Sequence, residues 1–190
     1  AGNPYLRLVG YGLVDTYDGS IQLIKHGDDF FSDMFMSQYK HNVIEMPEWL
    51  EEQIRYPQEL FNWRTEMYNI YHVTDVDIFI QANEFYEIPR GLDTYYIQAK
   101  PPGFEEPEFV GLLSLELRGS QGRNLAGYMV VENDKPNLGD MQFYEVPIES
   151  DIKLLGPTSV REALDRDPDF AQLKTLLRNP RIGDNILYQV

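Results

Sequence analysis

Glu108-Phe109-Val110-Gly111-Leu112-Leu113-Ser114-Leu115-Glu116-Leu117-Arg118 is the stretch on which the fold turns. Its apolar run is far shorter than the ~18–20 residues of a membrane span and reads as a buried strand. A second such run follows from Leu125 to Glu132. On either side the pattern alternates, with Tyr95-Tyr96-Ile97-Gln98-Ala99-Lys100 before it and Met141 to Val146 after it. Pro101-Pro102-Gly103, Gly119, Gly122, Pro136 and Gly139 punctuate the runs. Four strands joined by short loops predict an antiparallel meander.

Upstream, the period lengthens to that of a helix. Leu60, Trp63, Met67 and Ile70 follow Pro57 at helical spacing, so Pro57 to Tyr71 reads as an amphipathic helix with Pro in its first turn. Pro47 opens a shorter one, and Thr74 is the expected cap of another over Thr74 to Ala82. Asp28 to Gln38 places Phe30, Phe31, Met34 and Phe35 at helical spacing behind two aspartates. Tyr5 to Val14 and Ile21 to Lys25 flank an Asp-Gly turn and read as a hairpin. Downstream, Ser159-Val160-Arg161-Glu162 fits a capping box, Asp167-Pro168 a second helix start, and Asp184 to Val190 a last strand. The expected fold class is α+β: an antiparallel β meander with several short helices packed against it, over residues 1–190 as a single domain.

The charge excludes whole classes of partner. Sixteen Lys and Arg against 31 Asp and Glu leave a net −15. Such a chain repels phosphate backbones, and its densest basic stretch is only Arg118 to Arg123, so no nucleic acid is expected. From Glu45 to Glu108, 14 acidic and 4 basic residues leave −10, which reads as a solvated face. There is no cysteine, which excludes disulfides, thiolate catalysis and cysteine-based zinc sites.

Each chemical constellation has a plainer reading beside it. His72, with Asp75 and Asp77 downstream, has the residue types of a metal or acid–base pair, but a histidine ending a helix is also stabilised by the dipole. His26 and His41 lie in expected loops without patterned ligands. Asp165, Asp167 and Asp169 alternate like a calcium loop, yet Phe170 and Leu176 stand where Gly and Glu are needed. Asp15 and Asp18 beside Gly19 fit turn chemistry. Gly10-Tyr11-Gly12 starts a dinucleotide fingerprint that Asp15 breaks, and Gly119-Ser120-Gln121-Gly122 lacks the lysine of a phosphate loop. The pair Glu105-Glu106 is unremarkable in so acidic a chain. No residue is assigned as catalytic, cofactor-binding or metal-binding, and no cofactor is implied. Thirteen Tyr, 10 Phe and 2 Trp exceed what a core requires and suggest a partner face around Trp49, Tyr56 and Trp63.

Arg55-Tyr56-Pro57-Gln58-Glu59-Leu60-Phe61, then Met67-Tyr68, then Tyr71-His72-Val73-Thr74-Asp75, resembles the signature of uncharacterised protein family 0182 (UPF-0182). The resemblance continues through Val14-Asp15-Thr16-Tyr17-Asp18-Gly19, through Tyr86-Glu87-Ile88-Pro89 with Tyr86 where Trp is usual, and through Tyr95-Tyr96-Ile97. It runs on through Arg118-Gly119 to Asn124-Leu125, and through Gly156-Pro157 with Asp167-Pro168. It covers about Tyr5 to Val190. Departures come late, at Leu177 where Trp is usual and at Gly183-Asp184-Asn185-Ile186-Leu187.

What the resemblance implies is location. Family members look like large bacterial integral membrane proteins with several N-terminal spans and a large region outside the membrane. By that resemblance this chain is an extracytoplasmic fragment of a longer membrane protein, localised at the cell membrane, whose partners are the remainder of its own protein and an envelope protein. The fragment does not itself span the membrane. No activity or catalytic residue comes with the family. The function expected is therefore a binding or assembly module. The alternative is a cell-envelope hydrolase or transferase using His72 and Asp75.

Overall fold

The computed structural model describes residues 6–82, 84–118, 123–134, 136–147 and 153–177. The chain forms two sheets. In the first, β1 (Gly10–Val14) and β2 (Ile21–Lys25) make the expected hairpin, with Tyr11 opposite Ile24 and Val14 opposite Ile21. Its tip is closed by aspartates. Asp15 Oδ1 accepts from the Tyr17 amide at 2.7 Å, and Asp18 Oδ1 accepts from the Ser20 amide at 2.8 Å. Helix α1 (Phe30–Ser37) then crosses over to β3 (Val43–Ile44), which pairs parallel to β2. Neither β3 nor its parallel pairing was legible in so short a run.

The second sheet is the expected meander. β5 (Tyr95–Ala99), β6 (Glu108–Leu117), β7 (Leu125–Glu132) and β8 (Met141–Glu145) pair antiparallel in sequence order. A two-residue strand, β4 (Tyr86–Glu87), takes the far end of the β6 edge that β5 leaves open. The fold is α+β, as the periodicities imply. The last strand expected from the sequence, Asp184 to Val190, lies outside the described residues, as do 119–122 in the Gly-rich loop.

Helices α2 (Glu48–Glu51), α3 (Gln58–Tyr71) and α4 (Val76–Gln81) link the two sheets in sequence. α3 supplies one wall of the core. Phe61 is fully buried against Leu113, Leu115, Leu117, Met129 and Val131 of the meander. Each such side chain contributes about 1.5–3 kcal/mol by leaving water. Tyr56 belongs to the same cluster. Its amide donates to Asn133 Oδ1 at 2.7 Å, and its carbonyl accepts from the Tyr96 hydroxyl at 3.1 Å. Its ring lies against Gly139, which has φ +91°. A Cβ there would sit 2.5 Å from Tyr56 Cε2, so both the conformation and the close approach require glycine.

Two caps differ from the sequence reading. α4 is capped by Asp75, whose Oδ1 accepts from the amides of Asp77 (2.9 Å) and Ile78 (3.1 Å), and not by Thr74. α5 (Pro157–Arg166) has no capping box. Instead Glu116, buried in β6, reaches its N-terminus. One carboxylate oxygen accepts from the Thr158 amide at 2.6 Å and the other from the Thr158 hydroxyl at 3.0 Å. A buried carboxylate at a helix N-terminus satisfies an orphan amide more strongly than a neutral hydroxyl does. Ser159 turns to the Arg123 carbonyl, and Glu162 pairs with Arg123 at 2.6 Å. α6 (Pro168–Leu177) is capped by Asp167, as expected, with Oδ1 accepting from the Phe170 amide.

Candidate functional site

Helix α3 carries large apolar side chains on two of its faces. At 100° per residue, Phe61, Thr65, Tyr68 and Asn69 face the meander. Trp63, Met67 and Tyr71 run down the opposite side, with Leu60 at its edge, partly buried against the core. Met67 is 53% exposed and Tyr71 63%. Between the two faces, Glu59, Asn62 and Glu66 occupy one flank and Arg64 the other. A helix with two apolar faces needs a neighbour on both, and here only one is covered.

The outer face is continued at each end. At its N-terminal end it forms one wall of a groove of about 640 Å³. Leu6 and Phe31 stand opposite Leu60, Trp63 and Met67. Arg7 sits at the rim, paired with Asp29 at 2.6 Å and lying 5.6 Å over the Phe31 ring. At the C-terminal end, Tyr71 stacks on Phe79 of α4, with centroids 6.3 Å apart. α1 adds to the exposed apolar surface. Its buried residues are Ser32 and Met36, while Phe30, Phe31, Met34 and Phe35 point outward. The helical spacing of those four is real, but their face is the uncovered one.

The residues singled out in the sequence separate. Trp49 is 60% exposed on α2, and Trp63 lines the groove. Tyr56, expected beside them on a partner face, is a core residue only 7% exposed, and its hydroxyl accepts from Arg64 at 3.1 Å. The face around all three is therefore corrected to one built on Trp63. What was missed is that the stripe continues through Met67 and Tyr71. The signal was present in their i, i+4 spacing, which competed with the Phe61 face on the same helix.

His72 and Asp75 are each taken up structurally. The His72 ring stacks on Tyr86, with centroids 4.1 Å apart, and on Tyr68 at 5.2 Å. Its Nδ1–H donates to the Tyr68 carbonyl at 2.8 Å. Asp75 caps α4. His26 meets the Tyr11 ring edge-on at 6.1 Å, and His41 is exposed. Asp165 pairs with Lys174, and Asp167 caps α6. Among the described residues, no group of three or more His, Asp or Glu is placed to hold a metal ion.

Burial perturbs several tyrosines. It pushes the Tyr11 phenol up to about 12, with Tyr56 adding to the shift. Tyr86 is raised first by burial and then by the Glu145 carboxylate, to which its hydroxyl donates at 3.2 Å. Glu132 is raised by burial and by neighbouring carboxylates. None of these groups lines the groove. The site is therefore an apolar surface with Arg7 and Arg64 at the groove and Glu59 and Glu66 along one flank of α3, and the described residues there make no reactive constellation. Among the described residues, no helix is long and apolar enough to cross a membrane.

Known proteins place the chain in a lineage. Residues 11–177 match the sequence profile of the Uncharacterised protein family UPF0182. A UPF0182 protein of Sulfurovum sp. is 30% identical over 193 residues, covering 92% of this chain and 20% of the relative. One from Methanospirillum hungatei is 32% identical, covering 90% of this chain and 20% of the relative. One from Salinibacter ruber is 28% identical, covering 92% and 19%. The chain thus spans about a fifth of the length of the curated relatives it matches. No solved structure matches it. The profile match and the relatives together assign this chain to the Uncharacterised protein family UPF0182, to which it belongs.

Proposed function

We propose that this chain is a binding or assembly module of a longer protein. The observation that carries the reading is α3, whose inner face holds the meander, while on its outer face Met67 and Tyr71 stand exposed and Leu60 and Trp63 are half-buried and line the groove. Exposed large apolar residues gathered in contiguous patches mark interaction surfaces. The matched region fills only a fifth of its relatives' length, which leaves ample polypeptide to cover such a surface. His72 stacked on Tyr86 and Asp75 capping α4 support a binding reading over an enzymatic one that would use this pair.

The module is proposed to sit on the extracytoplasmic side of a cell membrane. Its net charge of −15 suits a head held off an anionic bilayer, on whichever side it lies, and the side itself rests on the family resemblance. The test is reconstitution in trans. The chain and the rest of a family-length protein are co-expressed as separate polypeptides and solubilised. Co-purification at a fixed ratio is expected, and a chain that elutes alone under gentle conditions refutes the module. For location, a thiol at Tyr17 (Tyr17→Cys) in intact cells is expected to react with a membrane-impermeant maleimide. Reaction only after lysis refutes the extracytoplasmic placement.

A further inference from the structure

We infer that the groove and the α3 stripe together receive one amphipathic helix, contributed by the part of a family-length polypeptide that lies outside these residues. The inference rests on the assembly reading and makes it specific.

The geometry sets the occupant's shape. From Leu60 to Tyr71 the stripe advances eleven residues along α3, about 16 Å at the helical rise, or three turns. Trp63, Met67 and Tyr71 recur every fourth residue, which makes a ridge that packs into the grooves of another helix. An extended peptide would need a free strand edge, and this surface is a helix flank. The groove beside Leu6 and Phe31 widens the N-terminal end to about 640 Å³, room for a large side chain next to Trp63. A half-buried tryptophan at the centre of an apolar surface has the character of an anchor.

The charge sets its chemistry. Glu59 and Glu66 are exposed and border the stripe on one flank, while the two arginines of the groove are engaged within the chain, Arg7 by Asp29 and Arg64 by the Tyr56 hydroxyl and the Gly139 carbonyl. A helix lying on Trp63 and Met67 would bring its own flank beside these carboxylates. Lysine or arginine there is complementary, and aspartate or glutamate is opposed. A second copy of this chain would instead bring its own acidic flank into so acidic a surface.

The length argument sets its source. The curated relatives continue for some four-fifths of their length outside the matched region. A segment in the same polypeptide meets the stripe at high effective concentration, so a modest interface suffices.

These 190 residues hold no cysteine, so each introduced thiol is the only one among them and is read by its own peptide. Single-thiol variants Met67→Cys on the stripe, Phe30→Cys on α1, Leu176→Cys on α6 and Tyr17→Cys on the hairpin tip are prepared twice. One set is in the 190-residue chain and the other in a family-length polypeptide that contains it. Maleimide labelling at each position is followed by peptide mass spectrometry. We expect labelling at position 67 to slow by about tenfold or more in the long polypeptide, the signature of a closed local equilibrium. Position 17 should change little.

Unchanged rates at all four positions overturn both this inference and the assembly reading. Protection at position 30 or 176 without protection at 67 leaves the assembly reading standing and overturns the stripe. Protection at 67 in the 190-residue chain that disappears on dilution assigns the stripe to a second copy and overturns the inference. Adding Glu66→Lys to the long polypeptide should restore part of the labelling at 67, and an unchanged rate removes the basic flank from the proposed helix.

Discussion

The carboxylate of Glu116 lies only 1% exposed in the middle strand of the meander, with both oxygens engaged by Thr158. A hydrogen bond to a buried charged group contributes about 1.5–3 kcal/mol. Glu116→Ala should therefore lower the unfolding free energy by about that amount in urea titration. Glu116→Gln should cost less, because one acceptor for the Thr158 amide remains. Gly156 belongs to the same contact: a Cβ there would stand 2.5 Å from both Cγ and Oε1 of Glu116. The sequence pointed to the wrong cap here for a physical reason. Ser159 and Glu162 have the local spacing of a capping box, but a carboxylate 42 residues upstream reaches the amide first. Tertiary contacts of this kind leave no trace in a local window. Asn133 is similar. Its side chain accepts from the Tyr56 amide at 2.7 Å and donates to the Phe109 carbonyl at 3.2 Å. Asn133→Ala should destabilise by about 1–3 kcal/mol, read as a drop in the urea midpoint at constant slope.

Among the elements, β6 and β7 hold the most buried backbone. Their seven register pairs run from Val110–Glu132 to Glu116–Leu125, with one irregularity at Leu115/Glu116. Native-state hydrogen exchange should be slowest for their amides and fastest in α4 and the two-residue β3, in which no residue is fully buried. Equal protection across these elements would contradict that ranking. The helices show where reading by pattern stops. The spacing of Phe30, Phe31, Met34 and Phe35 foretold α1, and that of Leu60, Trp63, Met67 and Ile70 foretold α3. Periodicity reports that a face is apolar and says nothing of what covers it. In α3 it merged two faces, one turned to Leu113 and Val131 and the other turned outward. The meander was legible because each of its strands is bounded by Gly or Pro. β4 was not, because Tyr86–Glu87 is too short to show alternation.

Across the whole molecule, the buried tyrosines make the fold sensitive to alkaline pH. Burial raises the phenols of Tyr11, Tyr68, Tyr86, Tyr96 and Tyr144 above the ordinary tyrosine value. For Tyr11 the folded value is about 12, against 10.0 when free. A raised phenol favours the neutral form in the fold. Its contribution is intact below the unfolded pKa and is lost as pH rises through the folded one. The urea midpoint should hold steady up to about pH 10 and fall progressively above it. Tyr86→Phe should soften that fall, because it removes the hydroxyl nearest Glu145. The net −15 adds self-repulsion in the same direction, so added salt should raise the midpoint at every alkaline pH.

The Tyr56–Asn133 bond joins residues 77 apart and is the clasp between the helical segment and the far loop of the meander. Closing so long a loop is entropically slow compared with forming the hairpins on either side of β6. The meander should therefore assemble first and α3 dock last, with the clasp absent from the rate-limiting barrier. In kinetic terms, Asn133→Ala should speed unfolding and leave the refolding rate nearly unchanged, whereas Leu113→Ala in β6 should slow refolding. The outer face of α3 would then be the last surface of the chain to reach its final orientation.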